Sequence, residues 1–125
     1  MFMTDKEKLP TWCSGEKWCP LTATTNLISK KWHPVIIHRL LEEGGTGFNQ
    51  LKKDVGGISS KVLSESLEDL ENKNIISREV ISEKPFRVKY SLTDRGQQLE
   101  PAINEMIKWG RENLKEASDK DESVV

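Results

Sequence analysis

Residues 48–72 read FNQLKKDVGGISSKVLSESLEDLEN, and this stretch decides the fold. Its first part predicts a short helix, because apolar residues recur there at i, i+3 and i+7: Phe48, Leu51 and Val55. The Gly56-Gly57 pair predicts a turn, and Ser59 is a natural N-cap for a second helix that runs to about Lys73. The leucines of this second helix form one stripe: Leu63, Leu67 and Leu70. Two short helices joined by a tight turn predict a helix-turn-helix.

Two more helices are predicted ahead of this unit. The first covers residues 21–28. The second opens near Pro34, which suits a first helical turn because its missing N–H is not needed there. This second helix is apolar on most of its sides, so we expect it at the centre of the core. Its apolar residues are Val35, Ile36, Ile37, Leu40 and Leu41. Gly44-Gly45 marks its end.

A β-hairpin and a last helix are predicted after the unit. Residues 86–92 alternate strictly between apolar and polar, whereas residues 75–81 are β-rich with a less regular alternation, and residues 82–85 form the turn. Thr93 can cap the last helix, which Pro101 would kink or divide. The hairpin stands where a winged helix carries its wing. The predicted fold class is therefore mainly α with a small β-hairpin, arranged as a winged helix-turn-helix.

The second helix of the unit is a candidate recognition helix for double-stranded DNA. Its outer face is small and polar near the N-terminal end, where base edges are usually read. The candidate base-reading residues are Ser59, Ser60, Lys61 and Ser64. The hairpin offers basic side chains that suit phosphates or a minor groove: Lys84 at the tip, and Arg87 and Lys89 on one outward face. Asn49 and Lys52 would position the preceding helix on phosphates.

The charge balance shows how such binding would have to work. The chain has 125 residues, enough for one domain, with 19 Lys+Arg, 20 Asp+Glu and a net charge of −1. This balance excludes a protein that is basic over its whole surface and coats nucleic acid. If the chain binds DNA, its positive charge must be concentrated locally. Residues 47–91 hold eight Lys+Arg and seven Asp+Glu. Glu65 of the recognition helix either accepts from a cytosine amino group or is simply a solvated helix residue.

A second function class stays open on these patterns. Helix-turn-helix units also occur in structural bundles, and a winged helix can serve as a protein-interaction module without direct DNA binding. The acidic residues in the recognition helix and a pI of about 6.2 favour this alternative slightly. Salt-sensitive binding to duplex DNA would discriminate the two classes.

Several other classes are disfavoured. No apolar run approaches the ~20 residues of a membrane span, and the N-terminus lacks the apolar core of a secretory signal. We therefore expect a cytoplasmic protein with no membrane association and with reduced thiols rather than disulfides. Neither a catalytic constellation nor a phosphate loop is present, so we expect no enzyme activity and no cofactor. The spacing of Cys13, Cys19, His33 and His38 does not suit a zinc site, so no metal is expected; His33 is interpreted as a cap residue.

Over residues 19–110, the chain resembles the HxlR-type winged helix-turn-helix transcriptional regulators. The motifs that carry the resemblance occur in order: Cys19-Pro20, Lys31-Trp32, Phe48-Asn49-Gln50-Leu51, Gly57-Ile58-Ser59-Ser60-Lys61-Val62-Leu63, Leu67-Glu68-Asp69-Leu70-Glu71, Arg87-Val88-Lys89-Tyr90-Ser91-Leu92-Thr93 with Gly96, and Trp109-Gly110. The resemblance implies a homodimeric prokaryotic regulator whose N-terminal segment and last helix build the dimer. Two recognition helices would then meet half-sites about 10 bp apart, or a multiple of that.

Hydrophobic period and charge, together with the resemblance, predict three parts of the chain. Residues 1–18 form an N-terminal arm, residues 19–115 the winged helix-turn-helix domain, and residues 116–125 an acidic flexible tail. Within the domain, the helix-turn-helix covers about 47–73, the wing about 75–92 and the C-terminal dimer helix about 93–115.

The sequence departs from the family pattern at two places. Lys30 stands where the family usually has glycine before Lys-Trp. Residues 44–47 are glycine-rich and uncharged where the family usually carries a basic residue, so one phosphate contact is expected to be missing.

Cysteines and tryptophans suggest two routes of regulation. Cys19 matches the family's Cys-Pro motif and is a candidate sensor of oxidants or electrophiles, and Cys13 is an additional candidate. A thiol reacts only where a helix N-terminus or a nearby lysine lowers its pKa; otherwise Cys19 is a small apolar residue at the dimer interface. Trp32 and Trp109 either frame a pocket for a small-molecule effector or make core and dimer contacts.

Overall fold

The computed structural model describes residues 18–114. The elements of this part are α1 (Pro20–Ile28), α2 (His33–Glu43), α3 (Phe48–Val55), α4 (Ser60–Asn72), β1 (Ile76–Glu83), β2 (Phe86–Leu92), α5 (Asp94–Gln97) and α6 (Glu100–Asn113). The predicted fold class, mainly α with a β-hairpin after the helix-turn-helix, is confirmed. Except for Trp18, the predicted arm lies outside the described residues, and so does the predicted tail. None of the helices within residues 18–114 has the length and apolar character of a membrane span.

The predicted helix caps are present. Ser59 has extended backbone, and its Oγ accepts a hydrogen bond from the N–H of Val62 at 3.1 Å. Thr93 caps α5 in the same way, accepting from the N–H of Gly96 at 3.0 Å. Pro101 lies in the first turn of α6, and the predicted last helix is divided there into α5 and α6 rather than kinked.

The core is one cluster to which α2, α3, α4, both strands and α6 contribute. Ile36, Ile37 and Leu40 of α2 are fully buried, as expected for the central helix. The predicted stripe of α4 is also buried, with exposures of 0–2% for Leu63, Leu67 and Leu70. Each buried aliphatic side chain stabilises the fold by about 1.5–3 kcal/mol relative to exposure. This packing turns the opposite face of α4 toward solvent.

The wing is an antiparallel pair of strands with one irregularity. The register runs from Ile76 opposite Leu92 to Glu83 opposite Phe86, and it shifts between Val80 and Ser82. A bulge at this point breaks the alternation of side chains between the two faces, which accounts for the successive apolar residues Val80 and Ile81. The first strand also extends two residues beyond the predicted end at 81, and the turn is the Lys84-Pro85 pair.

The loop between α2 and α3 pairs with the wing, which the sequence did not predict. The N–H of Thr46 donates to the carbonyl of Tyr90 at 3.0 Å, and the N–H of Tyr90 donates back at 2.7 Å. A single bridging residue leaves no alternating pattern in the sequence, so only the fold could reveal it. The bridge fixes the start of α3 relative to β2.

The base of the wing is closed onto α5. Thr93 Oγ1 lies within hydrogen-bond distance of the carbonyl oxygens of Asn74, at 2.7 Å, and Ile75, at 3.0 Å. Gly96 packs so closely on this corner that a Cβ atom there would overlap the carbonyl oxygen of Ile75. Only glycine fits this position, and the close approach sets the angle between the wing and the C-terminal helices.

Candidate nucleic-acid interface

The start of α4 presents a small polar surface. Ser60, Lys61 and Ser64 are exposed, while the leucines on the opposite face are buried. At 1.5 Å per residue, the 13 residues of α4 span about 20 Å, and the major groove, about 12 Å wide, admits a helix. The predicted base-reading residues therefore lie on one accessible face of a firmly packed helix.

Ser59 has a structural task as well. Because its Oγ already accepts the N–H of Val62, its hydroxyl hydrogen and one remaining lone pair are left for a base or a phosphate. Glu65 and Glu68 are exposed further along the same helix.

Helix α3 and the wing face one another across a groove of about 800 Å³. The groove brings together predicted residues that are far apart in sequence: Asn49, Arg87 and Lys89. It also includes two polar residues that the sequence analysis missed, Gln50 and Arg78.

Arg78 is the clearest addition to the predicted set. It lies opposite Tyr90 in the register, and its guanidinium carbon is 5.9 Å from the centre of the Phe86 ring, a cation–π distance. The irregular alternation of β1 concealed the face on which Arg78 lies. The strand pairing was the signal that could have placed it.

Lys89 lies across the glycine-rich loop. A Cβ atom on Gly45 would overlap Lys89 Cε, so the side chain of Lys89 runs directly over the Gly45 backbone. This is the loop that lacks the family's basic residue ahead of α3. Lys89 therefore brings a positive charge from the wing close to that loop. Glu79 is the cross-strand partner of Lys89 and partly offsets this charge.

The other predicted phosphate-binding residues lie at the edges of this surface. Lys52 is half-buried and, with Asn49, Gln50 and Lys53, lines a shallow depression of about 340 Å³ on α3. Lys84 is exposed in the turn of the wing. The predicted residues thus fall into three groups: the start of α4, the exposed side of α3, and the wing.

Cys19 sits at the start of α1 and is only 2% exposed. Its Sγ accepts a hydrogen bond from the N–H of Thr22 at 3.4 Å, which makes Cys19 the N-cap of this helix. Cys19 is disulfide-bonded, so the expectation of reduced thiols is wrong for this residue. That expectation rested on the missing export signal, which concerns the compartment and not whether two thiols can meet. Cys13, the other cysteine of the sequence, lies outside the described residues.

His33 is buried and does not act as a cap, which corrects the sequence interpretation. Trp32 holds the N-cap position of α2, and His33 is 1% exposed. Its Nδ1 is 3.0 Å from the carbonyl oxygen of Leu27, and its Nε2 is 3.6 Å from Asp69 Oδ2. Burial lowers the pKa of His33, and the hydrogen bond from Lys73 lowers the pKa of Asp69.

Apolar side chains remain exposed on the two helices that the resemblance assigns to the dimer. Those on or next to α1 and α6 are Trp18, Leu21, Met106, Trp109 and Leu114, with exposures from 44% to 70%. Trp32, in contrast, is partly buried against the core. Exposed large apolar side chains that are grouped in this way are typical of an interaction surface.

Comparison with known proteins identifies the family. Residues 27–118 match the HxlR-like helix-turn-helix family. The chain is 38% identical over 95 residues to YvaP of Bacillus subtilis, named an uncharacterized HTH-type transcriptional regulator, and the match covers 75% of this chain and 87% of YvaP.

Two solved structures share the fold, each at 33% sequence identity to this chain. The reduced form of the transcriptional regulator YodB from B. subtilis has a TM-score of 0.69 at 33% identity, covering 79% of this chain and 97% of that chain. The redox regulator HypR in its oxidized form has a TM-score of 0.72 at 33% identity, covering 78% of this chain and all of that chain.

The contact between Lys89 and the Gly45 backbone generates a first prediction. Gly45→Ala should displace the Lys89 side chain, which is flexible, without unfolding the protein, and should weaken binding to duplex DNA. The effect should largely disappear in a Lys89→Ala background, where only Ser91 Oγ, 3.0 Å from the added Cβ, is left close to it. Fluorescence anisotropy with labelled duplex measures the effect. Gly47→Ala is the matched control, because its Cβ meets only the carbonyl of Val88 at 3.5 Å. Equal effects of Gly45→Ala with and without Lys89 would contradict the prediction.

Proposed function

The chain belongs to the HxlR-like helix-turn-helix family and is a transcriptional regulator, and on this premise we propose how it reads DNA. Two copies bind one operator, each with α4 in the major groove and its wing on the backbone. The observation that carries this proposal is the exposed polar start of α4, held in place by a fully buried leucine stripe.

The charge distribution along α4 favours insertion by its N-terminal half. This half carries the ammonium group of Lys61 and three serine hydroxyls but no carboxylate before Glu65. The N-terminal end of the helix dipole also favours a phosphate nearby. Further along, Asp69 is paired with Lys73 at 2.7 Å and with Lys30 at 3.5 Å, which reduces its repulsion of DNA.

The wing and α3 supply the contacts that do not depend on sequence. Arg78, Arg87 and Lys89 line the same groove as Asn49, at the start of α3. Lys52 and Lys84 extend this surface on either side. Guanidinium and ammonium groups bind phosphate oxygens and fix the register of a protein on the duplex without reading its sequence. The presence of these groups around one groove supports binding of a polyanion by a chain of net charge −1.

The dimer forms through α1 and α6 in this proposal. Their exposed apolar residues need a cover, and a second copy supplies one with the two-fold symmetry of a palindromic operator. An apolar groove of about 250 Å³ between α2 and α6 includes Val35, Ile103 and Met106. We assign this groove to the dimer and not to a small-molecule effector, because the exposed apolar residues continue from it along α6 to Trp109 and Leu114.

The alternative function, a protein-interaction module without DNA binding, is disfavoured. The curated relatives are named transcriptional regulators and not enzymes or adaptor proteins. The neighbours YodB and HypR are likewise regulators.

We further propose that the redox state of Cys19 modulates DNA binding. A thiol reductant cleaves the disulfide, adding two electrons and two protons to give two thiols; an oxidant such as diamide takes them back. A thiol or thiolate sulfur is a better acceptor for the N–H of Thr22 than a disulfide sulfur, so reduction strengthens the cap of α1. A better-capped α1 favours the dimer and therefore the bound state. HypR, named a redox regulator, supports this proposal by similarity.

The test of base reading is Lys61→Ala. We expect it to weaken binding to a duplex from the gene's own upstream region by about 1–3 kcal/mol if Lys61 contacts a base. Binding to a scrambled duplex should change far less. Fluorescence anisotropy measures both affinities, and the protein needed at saturation should give two chains per duplex. Arg95→Ala, at an exposed position of α5, is the control for loss of one charge. A similar loss for both duplexes would remove Lys61 from the base-reading set.

The test of the wing is Arg87→Ala. Because phosphate contacts carry no sequence information, we expect weaker binding to all duplexes alike and a salt slope lower by about one unit. Anisotropy titrations at several salt concentrations measure the slope. An unchanged slope would remove Arg87 from the interface.

The test of redox control compares the protein reduced with dithiothreitol and oxidised with diamide. We expect the reduced form to bind the native duplex about 5- to 150-fold more tightly, the usual range of coupling between two sites. Cys19→Ser, which keeps a capping oxygen but cannot form the disulfide, should bind like the reduced form under both conditions. Mass spectrometry after thiol alkylation follows the state of the cysteines. Equal affinity of the two wild-type forms would contradict the proposal.

A further inference from the structure

Helix α1 is held to the body of the protein by few contacts. None of its residues is buried, and Leu27, near its end, packs against the core. Within residues 18–114, the hydrogen bond between His33 Nδ1 and the Leu27 carbonyl is the one that joins α1 to another helix. This carbonyl lies in the last turn of α1, where backbone oxygens have no partner within the helix. His33 therefore provides the polar anchor of a lightly packed helix.

The same imidazole faces the recognition helix with its other nitrogen. Because a carbonyl only accepts, Nδ1 carries the hydrogen in the contact with Leu27, and neutral His33 then has a lone pair on Nε2. This nitrogen is 3.6 Å from Asp69 Oδ2 on α4. In the neutral state two acceptors face each other, whereas a proton on Nε2 would create an ion pair. Protonation of Nε2 thus changes the contact between α2 and α4 from two facing acceptors to an attractive ion pair.

The charged groups around His33 are Asp69 and Lys73 from α4 and Lys30 from the connection before α2. Lys73 Nζ lies 2.7 and 2.8 Å from the two oxygens of Asp69, and Lys30 Nζ lies 3.5 Å from Oδ2. Burial and, to a smaller extent, the two lysines lower the pKa of His33, while the hydrogen bond to the Leu27 carbonyl and the charge of Asp69 oppose them. The neutral ring is therefore the form that fits between Leu27 and the lysine-paired carboxylate near pH 7.

We propose that His33 is a positioning residue that links the placement of α1 to the placement of the recognition helix α4. The inference rests on the proposed function, because it concerns how that helix is aimed at DNA. Cys19 caps one end of α1, and the carbonyl of Leu27 lies near the other end, about 12 Å away at 1.5 Å per residue. A displacement of α1 moves that carbonyl, then the His33 ring, then Asp69 on the helix that carries Ser60, Lys61 and Ser64.

The first test uses two variants of His33 to distinguish an effect on the orientation of α4 from an effect on folding. His33→Asn keeps an N–H donor near the Nδ1 position for Leu27 but loses the group facing Asp69; His33→Leu loses both contacts. In anisotropy titrations at pH 7.5, both variants should lower the preference for the native over a scrambled duplex by about 3- to 30-fold, the usual effect of disturbing a coupled network. A residue that only stabilised the fold would lower both affinities together, and that result would overturn the proposal, as would an unchanged preference.

The second test is a pH profile. A buried histidine with a lowered pKa favours the folded arrangement when neutral, so its contribution is complete above the unfolded value of 6.5 and is lost as pH falls through the lower folded value. The wild type should therefore lose preference for the native duplex between pH 7.5 and 5.5. His33→Asn should show a flat profile over this range. Parallel profiles for the two proteins would overturn the role of His33.

A third test needs no DNA and separates this inference from the proposed function. Asp69→Ala, which removes the carboxylate that faces His33 Nε2, should speed amide hydrogen exchange in α1. Glu68→Ala, at the neighbouring exposed carboxylate on the same helix, should leave α1 unchanged. Unchanged α1 exchange in Asp69→Ala would overturn the link between the two helices. If instead the wild type shows no preference for any duplex while α1 exchange responds, the link stands and the proposed function fails.

Discussion

The burial of the α4 leucine stripe in the shared core fixes how this helix is turned. Leu63, Leu67 and Leu70 have almost no exposed surface, and each contributes about 1.5–3 kcal/mol by its burial. Rotating α4 by half a turn would expose all three and bury Lys61, so the core allows only one orientation. The serine and lysine face that meets DNA in our proposal is the necessary other side of that core. The buried face of α4 therefore stabilises the fold, and the exposed face of the same helix is the one that meets DNA in our proposal.

The wing is fixed by backbone contacts at both ends. Thr46 pairs with Tyr90 and holds the loop before α3 against β2, while Thr93 and Gly96 close the base of the hairpin onto α5. These contacts depend on small residues and backbone groups, not on bulky side chains. They leave the tip of the wing and its basic residues free to face a ligand. The groove between α3 and the wing follows from this arrangement.

Local signals in the sequence predicted most of the fold. The caps at Ser59 and Thr93 and the division at Pro101 depend on neighbours within a few residues, and the structure confirms them. Contacts between distant residues left no such signal. The bridge from Thr46 to Tyr90 involves one residue in a loop. Arg78 lies opposite Tyr90, and this pairing depends on the register of two strands, which the pattern of one strand does not report.

The candidate site, like the fold, was predictable where it depends on local periodicity and not where it depends on contacts between distant residues. Side chains on the outer face of an amphipathic helix can be named from periodicity, as Lys61 was. The position of Lys89 over Gly45 could not, because it depends on how the wing folds back on a loop more than forty residues earlier. The burial of His33 against Asp69 joins two helices that are separated by a third, and no periodicity reports it.

The charge balance of the chain explains why the orientation of α4 on DNA is important for binding. A strongly basic protein gains most of its affinity from phosphates and tolerates a poorly aimed helix. Here the basic groups of the interface are few, and Glu79 lies opposite Lys89 across the wing. Asp69 carries a negative charge on the recognition helix itself, but Lys30 and Lys73 neutralise it, and it lies 3.6 Å from the buried His33. With a modest electrostatic contribution, discrimination between operator and other DNA depends on base contacts, which tolerate little error in geometry. A cluster that both neutralises α4 and sets its direction therefore serves affinity and specificity through the same side chains.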